Sequence, residues 1–189
     1  MIEWLSLKQV DLVHKIMEEH IKPGDCVLDG TIGNGRDTLM LCGLVGEKGC
    51  VHGFDIQQIA VDRTLERLKL SGFEKRVCIH KDSHGNIPVY IQEEISAFVF
   101  NLGYLPDGDK NIVTCGEETV KALDASLGRL KTGGIGTVLI YYGHEGGLEE
   151  KKQLEEFLCQ PPAKKYDVIR IDNYNRRHTP PILYIIKKK

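Results

Sequence analysis

No stretch of the 189-residue sequence is apolar for long enough to span a bilayer. Its start, Met1-Ile2-Glu3-Trp4-Leu5, lacks the basic region and apolar core of a secretory signal. Both absences lead to the expectation of a cytoplasmic protein. The six cysteines (Cys26, Cys42, Cys50, Cys78, Cys115 and Cys159) include no C-x-x-C pair. The usual spacing of a zinc site is therefore missing, and no metal centre is expected. Cys26, Cys50 and Cys78 lie in apolar runs and read as reduced, buried small hydrophobes. Nothing beside Cys115 or Cys159 would activate them as nucleophiles. Neither sign of charge dominates: 25 Lys and Arg face 27 Asp and Glu, a net charge of -2. The molecule as a whole is thus no electrostatic sponge for nucleic acid, which leaves local patches to be judged separately. No repeat, low-complexity segment or linker appears, so residues 1–189 read as one domain.

What is present is an alternation of strand and helix patterns. Leu7 to Ile21 repeats apolar residues at helical spacing (Val10, Val13, Met17) until Lys22-Pro23-Gly24-Asp25 stops it. Strands are expected at Cys26–Asp29, Gly49–Asp55, Arg76–His80, Ile95–Asn101, Ile135–Tyr142, Val168–Ile171 and Ile182–Ile186. Helices are expected from Gly35 through Leu44, over Ile56–Leu70 with Ile59, Leu65, Leu68 and Leu70 inward, over Glu117–Leu130, and over Leu148–Leu158. Gly133-Gly134 reads as the cap of the third of these. Only a loop separates the last two strands, so they should be antiparallel. The whole reads as α/β, a doubly wound, mostly parallel, Rossmann-like sheet of seven strands.

The sheet carries its polar residues at strand ends: Asp29, Asp55, Asp82 and Asn101. In an open parallel sheet, ligands bind beyond the carboxyl ends of the strands. After Asp29 comes a tight glycine turn, Gly30-Thr31-Ile32-Gly33-Asn34-Gly35, then Arg36-Asp37. Two ligands compete for it. A dinucleotide would want G-x-G-x-x-G, which Gly33-Asn34-Gly35 begins and Thr38 breaks, with a ribose-binding acid about twenty residues on, where Asp55 stands. Against it, Asp29 and Asp37 bracket the turn, and carboxylates repel a pyrophosphate. They suit S-adenosylmethionine, which carries an ammonium and a sulfonium, offers a ribose diol to Asp55, and presents an adenine edge to Asp82-Ser83.

The stretch Asp29-Gly30-Thr31-Ile32-Gly33-Asn34-Gly35-Arg36-Asp37 resembles the first motif of class I S-adenosylmethionine-dependent methyltransferases. Asn101-Leu102-Gly103-Tyr104-Leu105-Pro106 resembles their fourth, a variant of N-P-P-Y. With Tyr141-Tyr142-Gly143-His144-Glu145-Gly146-Gly147 and Pro180-Pro181, the pattern is similar to a small bacterial rRNA-methylase family. That family is now associated with methylating the 5-aminomethyl group of wobble (2-thio)uridine in tRNA. The resemblance implies a seven-stranded sheet with an antiparallel last strand, a homodimer, and a tRNA substrate held by its anticodon region. It places Thr31, Gly33, Asn34, Gly35 and Asp37 in the cofactor turn, Asp55 and Gln57 on the ribose, and Asp82, Ser83 and His84 around the adenine. Asn101, Gly103 and Tyr104 would lie between the cofactor methyl and the substrate.

In such a site, the Asn101 amide oxygen or the Leu102 carbonyl would accept hydrogen bonds from the target amine, and Tyr104 would stack on the base. His144 is the candidate proton acceptor, its imidazole titrating near working pH. Tyr142 is a candidate substrate contact. The C-terminal third is locally basic, and Arg176, Arg177 and His178 are the best candidate contacts to tRNA. Ribosomal RNA or a small metabolite as substrate would need the same cofactor site.

Overall fold

The computed structural model describes residues 8–105, 113–176 and 179–189. Seven strands form one sheet: β1 (Cys26–Asp29), β2 (Cys50–Phe54), β3 (Val77–His80), β4 (Ile95–Leu102), β5 (Leu130–Ile140), β6 (Tyr166–Ile171) and β7 (Ile182–Lys188). Their order is β3-β2-β1-β4-β5-β7-β6. β7 runs antiparallel to both of its neighbours, β5 and β6, and the other pairs are parallel. The chain winds outward from β1 to β3, then returns to place β4 on the other side of β1. The carboxyl ends of β1 and β4 therefore flank the point where the winding reverses, where a crevice opens.

Among the described residues, six α-helices cover the sheet: α1 (Gln9–His20), α2 (Arg36–Val45), α3 (Gln58–Leu70), the single turn α4 (Ile87–Tyr90), α5 (Gly116–Arg129) and α6 (Gly147–Leu158). Among the described residues, no helix is long and apolar enough to cross a membrane. The central strand β4 shows why both faces need cover. Phe98, Phe100 and Leu102 point into one core with Ile87, Leu123 and Leu154 of α4, α5 and α6. Ala97 and Val99 point into the other with Val13, Met17, Leu41 and Leu68 of α1, α2 and α3. A strand buried on both faces reads as a continuous apolar run, as this one does.

Three local expectations change. Gly133 and Gly134 lie inside β5, whose strand begins at Leu130 directly after α5 and pairs with β4 through an irregular register between Ile95 and Ala97. The helix ends at Arg129, with Leu130 as its cap, and not at the glycines. On α3 the inward residues are Ala60, Val61, Thr64 and Leu68, while Ile59, Leu65 and Leu70 are exposed. The glycine turn packs so closely on this helix that a β-carbon on Gly35 would sit 2.6 Å from Thr64 Oγ1, so the inward face takes small side chains and the large ones turn out. Cys78 is exposed and Cys26 and Cys50 only half-buried, because the β1–β3 edge is incompletely covered.

Candidate active site

The glycine turn is closed by its own polar groups. Asp29 ends β1 fully buried; Oδ1 accepts from the Thr31 amide at 3.1 Å and Oδ2 from the Thr38 hydroxyl at 2.6 Å. Burial, followed by the nearby charge of Asp37, holds its carboxyl well above the usual carboxylate range. Gly33 and Gly35 take positive φ, 48° and 73°, which bends the backbone back toward β2. The Gly33 amide then donates to Asp55 Oδ2 at 3.1 Å, and the Gln57 amide to Oδ1 at 2.9 Å. Each of those oxygens keeps a second lone pair, as a ribose diol requires. Burial raises the Asp55 pKa too.

This chemistry separates the two ligand readings. A pyrophosphate needs free amides and positive potential. Here the amides of Thr31, Gly33 and Gly35 are spent on Asp29, Asp55 and the Ile32 carbonyl. Three carboxylates crowd the same crevice, and the charges of Asp37 and Asp55 add to the cost of ionising the buried Asp29. An ammonium and a sulfonium would relieve that cost, and an anion would add to it.

Across the crevice, Asn101 stands near the end of β4. Its amide N–H donates to the Thr31 hydroxyl oxygen at 2.7 Å, locking β4 to the turn. Its side-chain Nδ2 donates to Asp37 Oδ2. The other Asp37 oxygen meets His14 Nε2 of α1 at 2.5 Å. That hydrogen bond is the first cause of a raised His14 pKa. Since an ionised Asp37 can only accept, the Asn101 amide orientation is fixed, and its Oδ1 is left buried without a partner among the described residues. A buried carbonyl without a donor costs free energy that a substrate N–H would recover.

The expected adenine side is assembled by the connection after β3. Asp82 accepts from the Ser83 amide, Asn86 and the Tyr90 hydroxyl, which together hold it below its ordinary value. Ser83 bridges Gly85 and Glu118. His84 meets the Gly30 carbonyl through Nδ1 at 3.2 Å, and burial lowers its pKa, so the ring is neutral with Nδ1–H donating. Its Nε2 is buried without a partner among the described residues.

On the outer rim, Tyr104 is half-exposed and its ring lies edge-on to His144, centroids 6.1 Å apart. His144 Nδ1 lies 2.9 Å from the Glu145 carbonyl; a donor there leaves Nε2 as a bare acceptor when the ring is neutral. The base of this rim is stiffened through Thr114, which accepts from the Gly103 amide and donates to the buried Glu150, itself bonded to Thr119. Thr179 closes on the His144 loop, since a β-carbon on Gly143 would lie 2.6 Å from Thr179 Oγ1. The chain that carries Arg176 therefore returns beside the rim.

Most of the expected site residues thus meet at one crevice: Asp29, Thr31, Gly33, Gly35, Asp37, Asp55, Gln57 and Asn101 at its centre, with Asp82, Ser83 and His84 on one flank and Tyr104 and His144 on the other. Two depart from expectation. The Asn34 side chain turns away to accept from Arg63, and its carbonyl from Arg67, in a surface groove along α3. Tyr142 packs on the α6 core with Lys151 over its ring, whereas Tyr141 is the tyrosine that feels the Asp37 charge. Side chains alternate after β5, so only one of the pair reaches the crevice. Arg176 is exposed. Arg177, His178 and the 106–112 segment lie outside the described residues. The sequence reading missed His14, which the α1–α2 packing brings to Asp37 from 23 residues away.

A seven-stranded sheet with its one reversed strand, an acidic glycine turn and an Asn-led rim define a Rossmann-like S-adenosylmethionine-dependent methyltransferase. Residues 51–187 match the family described as "Putative rRNA methylase", and the chain belongs to that family. It is 32% identical to the chloroplastic tRNA (mnm(5)s(2)U34)-methyltransferase of Arabidopsis thaliana, over 96% of this chain and 70% of that protein. Among solved structures it resembles one described as a "putative rRNA-methylase" from Clostridium thermocellum (44% identity, TM-score 0.95, 97% and 98% of the two chains). It also resembles one described as a "putative methyltransferase" from Streptococcus mutans in complex with SAH (32% identity, TM-score 0.89, 97% and 99%).

Proposed function

We propose that this enzyme N-methylates the 5-aminomethyl group of wobble (2-thio)uridine in tRNA, giving the methylaminomethyl nucleoside. The observation that carries the proposal is the Asn101 Oδ1 atom, buried, unpartnered and locked in orientation by Asp37. It is an acceptor waiting for a donor, which an amine N–H offers and a carbon nucleophile does not. Support for tRNA as the carrier comes from the similarity to the Arabidopsis protein.

S-adenosylmethionine supplies a methyl group on a sulfonium, an excellent leaving group, so the protein's task is alignment. Asp55 and the Gln57 turn hold the ribose, Asp82, Ser83 and His84 border the adenine, and the acidic turn faces the ammonium. Asn101 aims the neutral amine by accepting one of its protons in a hydrogen bond. His14 positions Asp37, and through it Asn101. Tyr104 stacks on the base, and Tyr141 closes the crevice opposite. The amine gains a bond to carbon and must shed a proton; His144 Nε2 is the acceptor on the rim. Arg176, with Arg177 and His178, contacts phosphate.

The test is methyl transfer from labelled cofactor to bulk tRNA, to ribosomal RNA and to a metabolite extract, followed by nucleoside mass spectrometry. Label in methylaminomethyl-uridine supports the proposal. Label confined to ribosomal RNA or metabolites overturns it.

A further inference from the structure

A donor set that methyl transfer does not use sits away from the crevice, toward the opposite ends of β1 and β2. Cys26 opens β1, His52 lies in the middle of β2, and Glu93 belongs to the connection between α4 and β4. Cys26 pairs with Cys50 and Leu28 with His52, so Cys26 and His52 share one face of the sheet. The Cys26 sulfur, a His52 ring nitrogen and a Glu93 carboxylate oxygen all lie within 4.8 Å of one another. His52 Nε2 stands 2.9 Å from Glu93 Oε1, and Cys26 Sγ 3.9 Å from the same oxygen. Ligand atoms at about 2.0–2.3 Å from a tetrahedral ion are separated by roughly 3.3–3.8 Å, so small side-chain movements bring the three into place.

His52 is the best evidence that the set is organised. The residue is 7% exposed, and its second nitrogen, Nδ1, meets His80 Nε2 at 3.1 Å. A ligating imidazole typically gives its distal N–H to such an acceptor, which fixes the tautomer and aims the other nitrogen at the metal. The His80 ring stacks parallel to it, 5.5 Å between centroids, and packs on Tyr90 of α4. The orienting partner of an imidazole ligand is thus already built.

We propose that Cys26, His52 and Glu93 bind a divalent ion of the zinc class, with a solvent molecule as fourth ligand. A mixed set of thiolate, imidazole and carboxylate is of borderline softness; it suits zinc, and it disfavours magnesium and calcium, which take oxygen ligands. Binding releases the Cys26 thiol proton to solvent, and the ion takes the place of the direct His52–Glu93 hydrogen bond. The site joins β1, β2 and the approach to β4, the elements whose opposite ends form the cofactor crevice. Its role is to brace the sheet edge left open by the partly covered β1–β3 strands.

The test titrates the chelator-stripped full-length protein with cobalt(II), then with zinc(II). The expected result is one cobalt per chain with thiolate-to-metal charge-transfer absorption that zinc bleaches. Cys26→Ser should abolish that absorption, and Cys159→Ser should leave it. Glu93 is exposed, so Glu93→Gln should fold normally yet bind cobalt at least tenfold more weakly, with binding of S-adenosylhomocysteine unchanged. Absence of the absorption in the wild type would overturn the proposal. So would its persistence in Cys26→Ser, or full cobalt affinity in Glu93→Gln.

Discussion

The two sides of the crevice are built on different physical terms. On the cofactor side, the polar atoms of the glycine turn are spoken for within the fold, while His84 Nε2 on the expected adenine flank is buried without a partner among the described residues. Asp29 holds Thr31 and Thr38, Asp55 holds Gly33 and Gln57, and Gly30 approaches Phe100 so closely that a β-carbon would lie 2.1 Å from the ring. On the substrate side the acceptors are left open: Asn101 Oδ1 and His144 Nε2 are buried without partners among the described residues, and the Tyr104 and Tyr141 rings are partly exposed. Under the proposed function, the rigid side would hold the cofactor in one pose, and the under-bonded side would reward the substrate that completes it. Substitutions on the two sides should therefore fail differently.

The largest effect is expected at the junction. Asn101→Ala removes the acceptor proposed to aim the amine and should lower kcat by about 100-fold or more, while S-adenosylhomocysteine binding stays near wild type. Cofactor affinity falling in parallel with kcat would erase the distinction between the sides. On the rigid side, Gly35→Ala combines a positive φ with a contact 2.6 Å from Thr64 Oγ1. It should cost on the order of 1–3 kcal/mol of stability by denaturant titration and weaken cofactor binding. A stable variant with intact affinity would show that the turn tolerates rebuilding.

Smaller effects belong to the rim. Tyr104→Ala should raise KM for tRNA by roughly tenfold, with Tyr104→Phe restoring it, as expected for a stacking ring. Equal damage from both variants would point to the hydroxyl instead. Arg176→Ala should weaken tRNA binding only a few-fold and reduce the salt dependence by about one phosphate contact.

The smallest effect is a pH dependence at the hinge between the sides. His14 has a raised pKa in the folded protein because of its bond to Asp37. Its contribution to stability is fully present below the ordinary imidazole value of 6.5 and is lost as pH rises through the raised folded value. The gap in melting temperature between wild type and His14→Gln should therefore narrow as pH rises above the ordinary imidazole value of 6.5. A gap that widens with pH would mean that His14 is neutral when bound to Asp37.

The cofactor side was legible in the sequence because its signals are local. The acid, the glycines and Asp37 fall within nine residues of one another, and a strand-to-helix turn leaves little freedom in where they go. The antiparallel end of the sheet was legible for a similar reason, since only a loop separates β6 from β7. What stayed hidden depends on contacts between distant segments. His14 reaches Asp37 only through helix packing, and the Cys26–His52–Glu93 set spans three elements with no spacing signature. The inward face of α3 was misread because the turn demands small residues against Thr64, which overrides the pull of Ile59, Leu65 and Leu70. Tyr142, the candidate substrate contact, packs toward α6 instead, because a strand end does not announce which way its side chains alternate.

The central claim is that Asn101, oriented by Asp37, receives an amine on tRNA. Its most direct test is single-turnover methyl transfer to tRNA bearing 5-aminomethyl-2-thiouridine, compared between wild type and Asn101→Ala at saturating cofactor. The account predicts rapid formation of the methylaminomethyl nucleoside by the wild type and a rate lower by about 100-fold in the variant, with cofactor affinity unchanged. Wild-type protein that leaves this tRNA unmethylated, or a variant that methylates it at the full rate, would contradict it.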